Sequence, residues 1–182
     1  SYTAKHTLFI TLTYANRYIP RATFVDSLER PFGNDLVDKE TGEILGPSDM
    51  KQEDIDRLLN KFYLFGDVPY LRKTDLQLFF KRLRYYVSKQ CPSEKVRYFA
   101  VGEYGPVHFR PHYHILLFTN SEEVSKVLRY CHDKSWKFGR SDFQIARGGA
   151  SSYVSSYVNS LSAAPLLYRS CRAFKPRSRA SL

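Results

Sequence analysis

Between His6 and Tyr14 the chain alternates, with Leu8, Ile10 and Leu12 on one face and Thr7, Thr11 and Thr13 on the other. A period of two predicts a β-strand half-buried against a core. Val96–Glu103 and Pro111–Thr119 are the second and third strands, joined by a short loop with Gly105 and Pro106, which is hairpin spacing. Before them the period lengthens. Leu76, Phe79, Phe80, Leu83 and Val87 form one stripe on a helix from Thr74 to Lys89, with Thr74 and Gln77 as a capping box. A shorter helix carries Ile55, Leu58, Leu59 and Phe62, and Ser121 caps another through Val124, Val127 and Leu128. Asp142–Ala146 reads as a fourth strand. After Gly148-Gly149 comes a last helix, Ala150 to Ser160.

Residues 17–70 contain Pro20, Pro31, Gly33, Gly42, Gly46 and Pro47 and read as an excursion from this pattern. The remaining order is strand, helix, two strands, helix, strand, helix. That predicts an α+β fold, a mainly antiparallel sheet with helices packed on it. The expected division is one domain over 1–160, with 17–70 an inserted, partly acidic excursion, and a basic tail over 161–182.

Charge sharpens the picture. The net charge is +10, yet residues 26–56 hold ten acids and three bases, so the rest of the chain carries +17. The tail contributes Arg169, Arg172, Lys175, Arg177 and Arg179 without a single acid. Such an excess points to a polyanion, with nucleic acid as the leading partner. A membrane surface fits less well, because the tail shows no clean amphipathic helix, and no run approaches 18 apolar residues. With no secretory signal visible, the expectation is a soluble, intracellular protein. Cys91, Cys131 and Cys171 are odd in number and far apart, which predicts reduced thiols.

The candidate chemistry begins with His112 and His114. On a strand, i and i+2 share a face, so the two imidazoles form half of a metal site; the alternative is a pair of satisfied core residues. A hairpin symmetric about its loop pairs residues whose numbers sum to 215. Val101 then faces His114, and Glu103 faces His112. Two imidazoles and a carboxylate suit Mn²⁺ or another transition ion better than Mg²⁺. The competing reading gives Glu103 an ion pair with Arg97 or Arg110, and Gln144 is the reserve ligand. His6 and His108 read as surface or structural residues. His132 closes a helix, where an imidazolium would complement the dipole.

Tyr153 and Tyr157 stand one helical turn apart, with Val154 and Val158 as a second stripe. Either the phenols are amphipathic packing, or they are nucleophiles that need a base or metal to act at neutral pH. Lys81, Arg82, Arg84 and Lys89 lie off the apolar stripe of the long helix and serve either solvent or DNA. Arg110, beside the histidines, and Arg147, just before a helix start that favours phosphate, complete the DNA-contact candidates.

Leu12-Thr13-Tyr14, Leu76-Gln77-Leu78-Phe79-Phe80-Lys81-Arg82-Leu83-Arg84, Gly102-Glu103-Tyr104-Gly105, Arg110-Pro111-His112-Tyr113-His114 and Tyr153-Val154-Ser155-Ser156-Tyr157-Val158 occur in that order. Together they resemble the HUH endonucleases, and within them the replication initiation proteins of gokushovirus-type microviruses. The resemblance runs from Leu8 to Ser160. It implies an RRM-like core and an enzyme that nicks one strand at an origin, holds the 5′ end as a phosphotyrosine and rejoins it. It further implies a divalent ion, Mn²⁺ or Mg²⁺, on Glu103, His112 and His114, with Tyr153 and Tyr157 alternating as nucleophiles. The implied partners are single-stranded origin DNA and the host helicase and polymerase, in the cytoplasm of an infected bacterium. Ser156 and Ser160 stand where such proteins often carry lysine, which leaves Arg147 as the phosphate clamp.

Two other classes compete. A non-catalytic single-strand-binding module would use Arg84-Tyr85-Tyr86 and Trp136-Lys137-Phe138 to stack bases. A two-histidine-one-carboxylate iron oxygenase would explain the ligands, but neither the tyrosine pair nor the positive charge.

Overall fold

A computed structural model of the chain describes residues 4–48, 50–61, 67–146 and 179–180. In chain order the elements are β1 (His6–Tyr14), β2 (Arg21–Asp26), β3 (Asn34–Asp38), β4 (Ile44–Ser48), α1 (Gln52–Lys61), β5 (Asp67–Pro69), α2 (Lys73–Gln90), β6 (Arg97–Tyr104), β7 (Pro111–Thr119), α3 (Glu122–Ser135), β8 (Gly139–Ile145) and β9 (Arg179–Ala180). They make two antiparallel sheets and three helices, the α+β fold expected.

The first sheet runs β8-β1-β7-β6-β9. The alternation of β1 sends Leu8, Ile10 and Leu12 into the main core, where Ile115 and Leu117 of β7 join them. Phe79 and Leu83 of α2 and Val124 and Leu128 of α3 close that face. Each such apolar side chain contributes about 1.5–3 kcal/mol by leaving water. Because strand side chains alternate, Thr11, Thr13, His112 and His114 are turned to the opposite face of the sheet.

The excursion folds as a second sheet, ordered β4-β3-β2-β5, with α1 against it. Its core is Ala22, Leu36, Ile55, Leu58 and Val68, completed by Tyr104 and Phe109 from the β6–β7 hairpin. Sequence patterning sees α1 but none of these strands. They are three to six residues long, β3 is irregular at Leu36/Val37, and β4 contains Gly46 and Pro47. Proline and glycine are tolerated there because β4 is an edge strand.

Three boundaries also differ from expectation. The capping box at Thr74 does not form: α2 starts at Lys73, and Arg72, at the cap position, caps nothing with its side chain. The segment ahead of the helix is fixed instead by tertiary contacts, since Tyr113 donates to the Arg72 carbonyl (2.8 Å) and the Arg72 guanidinium reaches Asp38. In contrast, Ser121 caps α3 as expected, accepting from the Val124 amide (3.3 Å). β8 starts at Gly139 because Tyr14, at the end of β1, pairs with it. A Cβ at Gly139 would lie 2.1 Å from the Thr13 carbonyl oxygen, so only glycine fits that crossing.

The sheets meet where Leu71 packs on the back of β6. A Cβ on Gly102 would sit 2.6 Å from Leu71 Cδ1, and the Leu71 amide donates to the Tyr104 hydroxyl (3.0 Å). Cys91 and Cys131 are free thiols, as expected, and burial pushes Cys131 up to about 11. The predicted last helix, with Tyr153, Tyr157 and the preceding Arg147, lies outside the described residues.

Candidate metal centre

β6 and β7 pair in the register that the sequence predicts: Val101 lies opposite His114 and Glu103 opposite His112. Slipping by one residue would turn every side chain over, so this register brings the three groups together. Glu103 Oε2 lies 3.2 Å from His112 Nε2 and 2.6 Å from His114 Nε2. One candidate donor atom from each of the three residues falls within 4.8 Å of the others. All three side chains are partly buried, so the cluster is walled by protein yet open to a ligand.

The imidazoles are held from behind. His112 Nδ1 lies 3.1 Å from the Arg110 carbonyl oxygen. A carbonyl only accepts, so Nδ1 carries the proton, and Nε2 of the neutral ring presents its lone pair to Glu103. His114 Nδ1 meets the Thr11 hydroxyl (3.3 Å), and its ring stacks on Phe9, with centroids 5.8 Å apart and planes 7° from parallel. Outer hydrogen bonds of this type fix tautomer and ring orientation in metal sites. A lone pair facing a carboxylate oxygen is repulsive unless a proton or a cation lies between them. Hydrogen bonds from His112 and then His114 hold the Glu103 carboxyl well below the usual carboxylate range, against the upward push of burial. The donor set therefore fits a divalent transition ion, with coordination positions left for a substrate oxygen.

The competing partners of Glu103 lie elsewhere. Arg110 directs its guanidinium to the Tyr14 carbonyl (2.8 Å) and the Asn16 side chain. Arg97 sits at the far end of β6, opposite Phe118. Gln144 pairs with Phe9 and is exposed on β8, away from the cluster. Arg82 and Arg84 are on α2, on the far side of the sheet, where they donate to the Ser135 (3.4 Å) and Phe80 (3.2 Å) carbonyls. His132 corrects the expectation of an imidazolium. Its Nδ1 lies 2.8 Å from Ser141 Oγ, its ring packs near Phe143, and burial pushes its pKa down, so it is neutral at pH 7. Trp136 is no stacking platform, because its ring is in the core and its indole N–H donates to the Thr13 carbonyl (3.1 Å). Sequence reasoning missed Thr11 and Phe9 as supports for His114; both become visible only once β1 is paired with β7.

A two-histidine, one-glutamate cluster on the open face of an antiparallel sheet is an arrangement suited to metal-dependent chemistry on phosphate. Residues 66–162 match the family of the replication-associated protein ORF2, and the chain belongs to that family. It is also similar to the replication-associated protein ORF4 of Chlamydia phage 1, at 34% identity over 98 residues, covering 46% of this chain and 24% of that protein. The match thus spans about a quarter of that relative's length. No solved structure matches the chain significantly. Among the described residues no helix is long and apolar enough to cross a membrane.

Proposed function

We propose that the chain is a metal-dependent nickase and ligase of single-stranded DNA that initiates rolling-circle replication of a small phage. The observation that carries this reading is the convergence of Glu103, His112 and His114 on one sheet face, with Arg110 O and Thr11 Oγ1 orienting the two rings. Membership of a replication-associated family supports it, as does the likeness to a phage replication-associated protein. A divalent ion, Mn²⁺ or Mg²⁺, held by these three residues would supply positive charge against a phosphate oxygen.

Tyr153 and Tyr157 are the proposed nucleophiles. The phenol of one loses its proton and its oxygen bonds to phosphorus. The P–O3′ bond breaks, and the leaving 3′ oxygen takes up a proton. The phosphodiester is exchanged rather than hydrolysed, so the second tyrosine or a 3′-OH can reverse the step. Arg147 is the proposed phosphate clamp, while Arg110, Arg82 and Arg84 are the proposed wider DNA contacts. On this reading the domain spans 1–160 and the tail from 161 adds phosphate contacts. Origin DNA, with host helicase and polymerase, would be the partners in the cytoplasm of an infected bacterium. Incubating the protein with labelled circular single-stranded phage DNA and Mn²⁺ tests the reading. A covalent protein–DNA adduct that maps to Tyr153 or Tyr157 is expected. DNA on Tyr14, Tyr104 or Tyr113, or no adduct at all, overturns it.

A further inference from the structure

Beside the metal centre lies a cleft of about 220 Å³, lined by Asn16, Ile19, Arg21, Pro69, His108 and Arg110. Its walls come from both sheets: Arg21 from β2, Pro69 from β5, His108 and Arg110 from the β6–β7 loop, and Asn16 and Ile19 from the turn after β1. No acid lines it. Arg110 joins the cleft to the metal centre directly, because its carbonyl oxygen orients His112 while its guanidinium forms the cleft wall.

The loop geometry is specific to this arrangement. The Phe109 amide donates to the Gly105 carbonyl (3.1 Å), and the Gly105 amide donates to the Arg110 carbonyl (2.9 Å). Phe109 itself sits at φ 51°, a left-handed conformation that costs a non-glycine residue about 1 kcal/mol or more. Burial of its ring in the second core holds it there. The residues on either side of this kink, His108 and Arg110, are the two that the loop contributes to the cleft.

We propose that this cleft is a nucleotide subsite of the same enzyme, holding one nucleotide of single-stranded DNA next to the phosphate at the metal centre. Arg110 and Arg21 provide cationic donors for phosphate, Ile19 and Pro69 an apolar floor for a base, and Asn16 an amide at its edge. This inference rests on the proposed nuclease reading. It adds that the second sheet contributes to the DNA site through Arg21 and Pro69.

Arg21→Gln is the variant of choice. Asp67, which pairs with Arg21 (3.1 Å), keeps its shorter contact with Lys39 (2.6 Å), so the fold is retained. The probe is a degenerate single-stranded 12-mer DNA in EDTA, titrated by fluorescence anisotropy across salt concentrations. Arg21→Gln is expected to weaken binding by about threefold to tenfold. It should also reduce the slope of log affinity against log salt by about 0.7, the value for one lost single-strand phosphate contact. Mn²⁺ affinity, measured separately by calorimetry, should be unchanged. Photocrosslinking the same 12-mer, substituted with 4-thiothymidine, should label residues in 16–21 or 105–110. An unchanged slope and affinity for Arg21→Gln, or crosslinks confined to other segments, overturns the subsite. If cleavage occurs while the Arg21→Gln slope is unchanged, the nuclease reading stands and the subsite fails. If the Arg21-dependent binding is seen but no cleavage, the reverse holds.

Discussion

Arg72 Nη2 lies 2.8 Å from Asp38 Oδ2, joining the residue ahead of α2 to the fully buried carboxylate that ends β3. Tyr70 and the amides of Glu40 and Thr41 also donate to Asp38. Burial pushes this carboxyl up, but the hydrogen bonds from Tyr70, Thr41 and Arg72 outweigh it and hold the pKa below the ordinary value. Asp38→Asn leaves Arg72 without its main partner. It should cost about 3 kcal/mol at pH 7, the range for breaking a buried pair, read as a drop in urea midpoint. A loss under about 0.5 kcal/mol would show the pair to be dispensable.

The pH dependence of that difference has a definite sign. A depressed carboxylate stabilises the fold above its unfolded pKa, and the contribution is lost as pH falls through the folded value. The gap between wild type and Asp38→Asn should therefore be widest at neutral pH and close below about pH 4, near the ordinary aspartate pKa. Asp75 behaves oppositely. Burial raises it, outweighing the Tyr14 hydrogen bond and the Arg72 charge, so it stabilises most in the protonated form and that contribution fades as pH rises. Asp75→Asn keeps an acceptor for Tyr14 and should cost clearly less at pH 7 than Asp38→Asn. Equal losses would contradict this ordering.

At the metal centre, His112→Ala or His114→Ala should abolish Mn²⁺ binding and Mn²⁺-dependent cleavage. DNA affinity should stay within a few-fold, since Lys and Arg contacts to phosphate carry most of it. Thr11→Val removes only the hydroxyl behind His114. Calorimetry should show metal affinity falling about 10- to 100-fold, as for other outer-shell losses. Full cleavage by His114→Ala would remove these residues from the site.

Two equivalent phenols would let one hold a 5′ end while the other cuts again. Tyr153→Phe and Tyr157→Phe should each keep some nicking of single-stranded origin DNA, and the double variant should form no adduct. Phenylalanine preserves packing and removes only the nucleophile. Adduct formation by the double variant would exclude both residues.

The tail gives a separate readout. Arg179–Ala180 pairs with Phe99 and Ala100 at the edge of the first sheet, which leaves Arg169, Arg172, Lys175 and Arg177 as the tail cations to test on phosphate. Deleting residues 166–182 should flatten the salt dependence of single-strand binding by up to about 3 units, at about 0.7 per contact. An unchanged slope would make the tail structural.

Much of the site was legible because it rests on strands with strict alternation and a short hairpin. The 215 sum places Glu103 against His112 without any structural information, since one register buries Ile115 and Leu117 and a slip of one residue exposes them. The second sheet was not legible, because strands of three to six residues around Gly42, Gly46 and Pro47 carry too little periodicity to separate from loop. The start of α2 was misplaced for a related reason. Thr74 is a good local cap, but the pull of Asp38 on Arg72 is a contact between residues 34 positions apart. The cleft escaped notice because its lining comes from four separate stretches of chain.

The contact of Leu71 with Gly102 bears on the centre from behind. Gly102 immediately precedes Glu103, and alternation puts the two on opposite faces of β6, so the linker between the sheets presses on the back of the strand that presents the carboxylate. A side chain at 102 would have to displace either the Leu71 methyl groups or β6 itself. Gly102→Ala would therefore act as a shim, lifting Glu103 relative to the two imidazoles on β7 and altering the bite of the three ligands while leaving all of them in place.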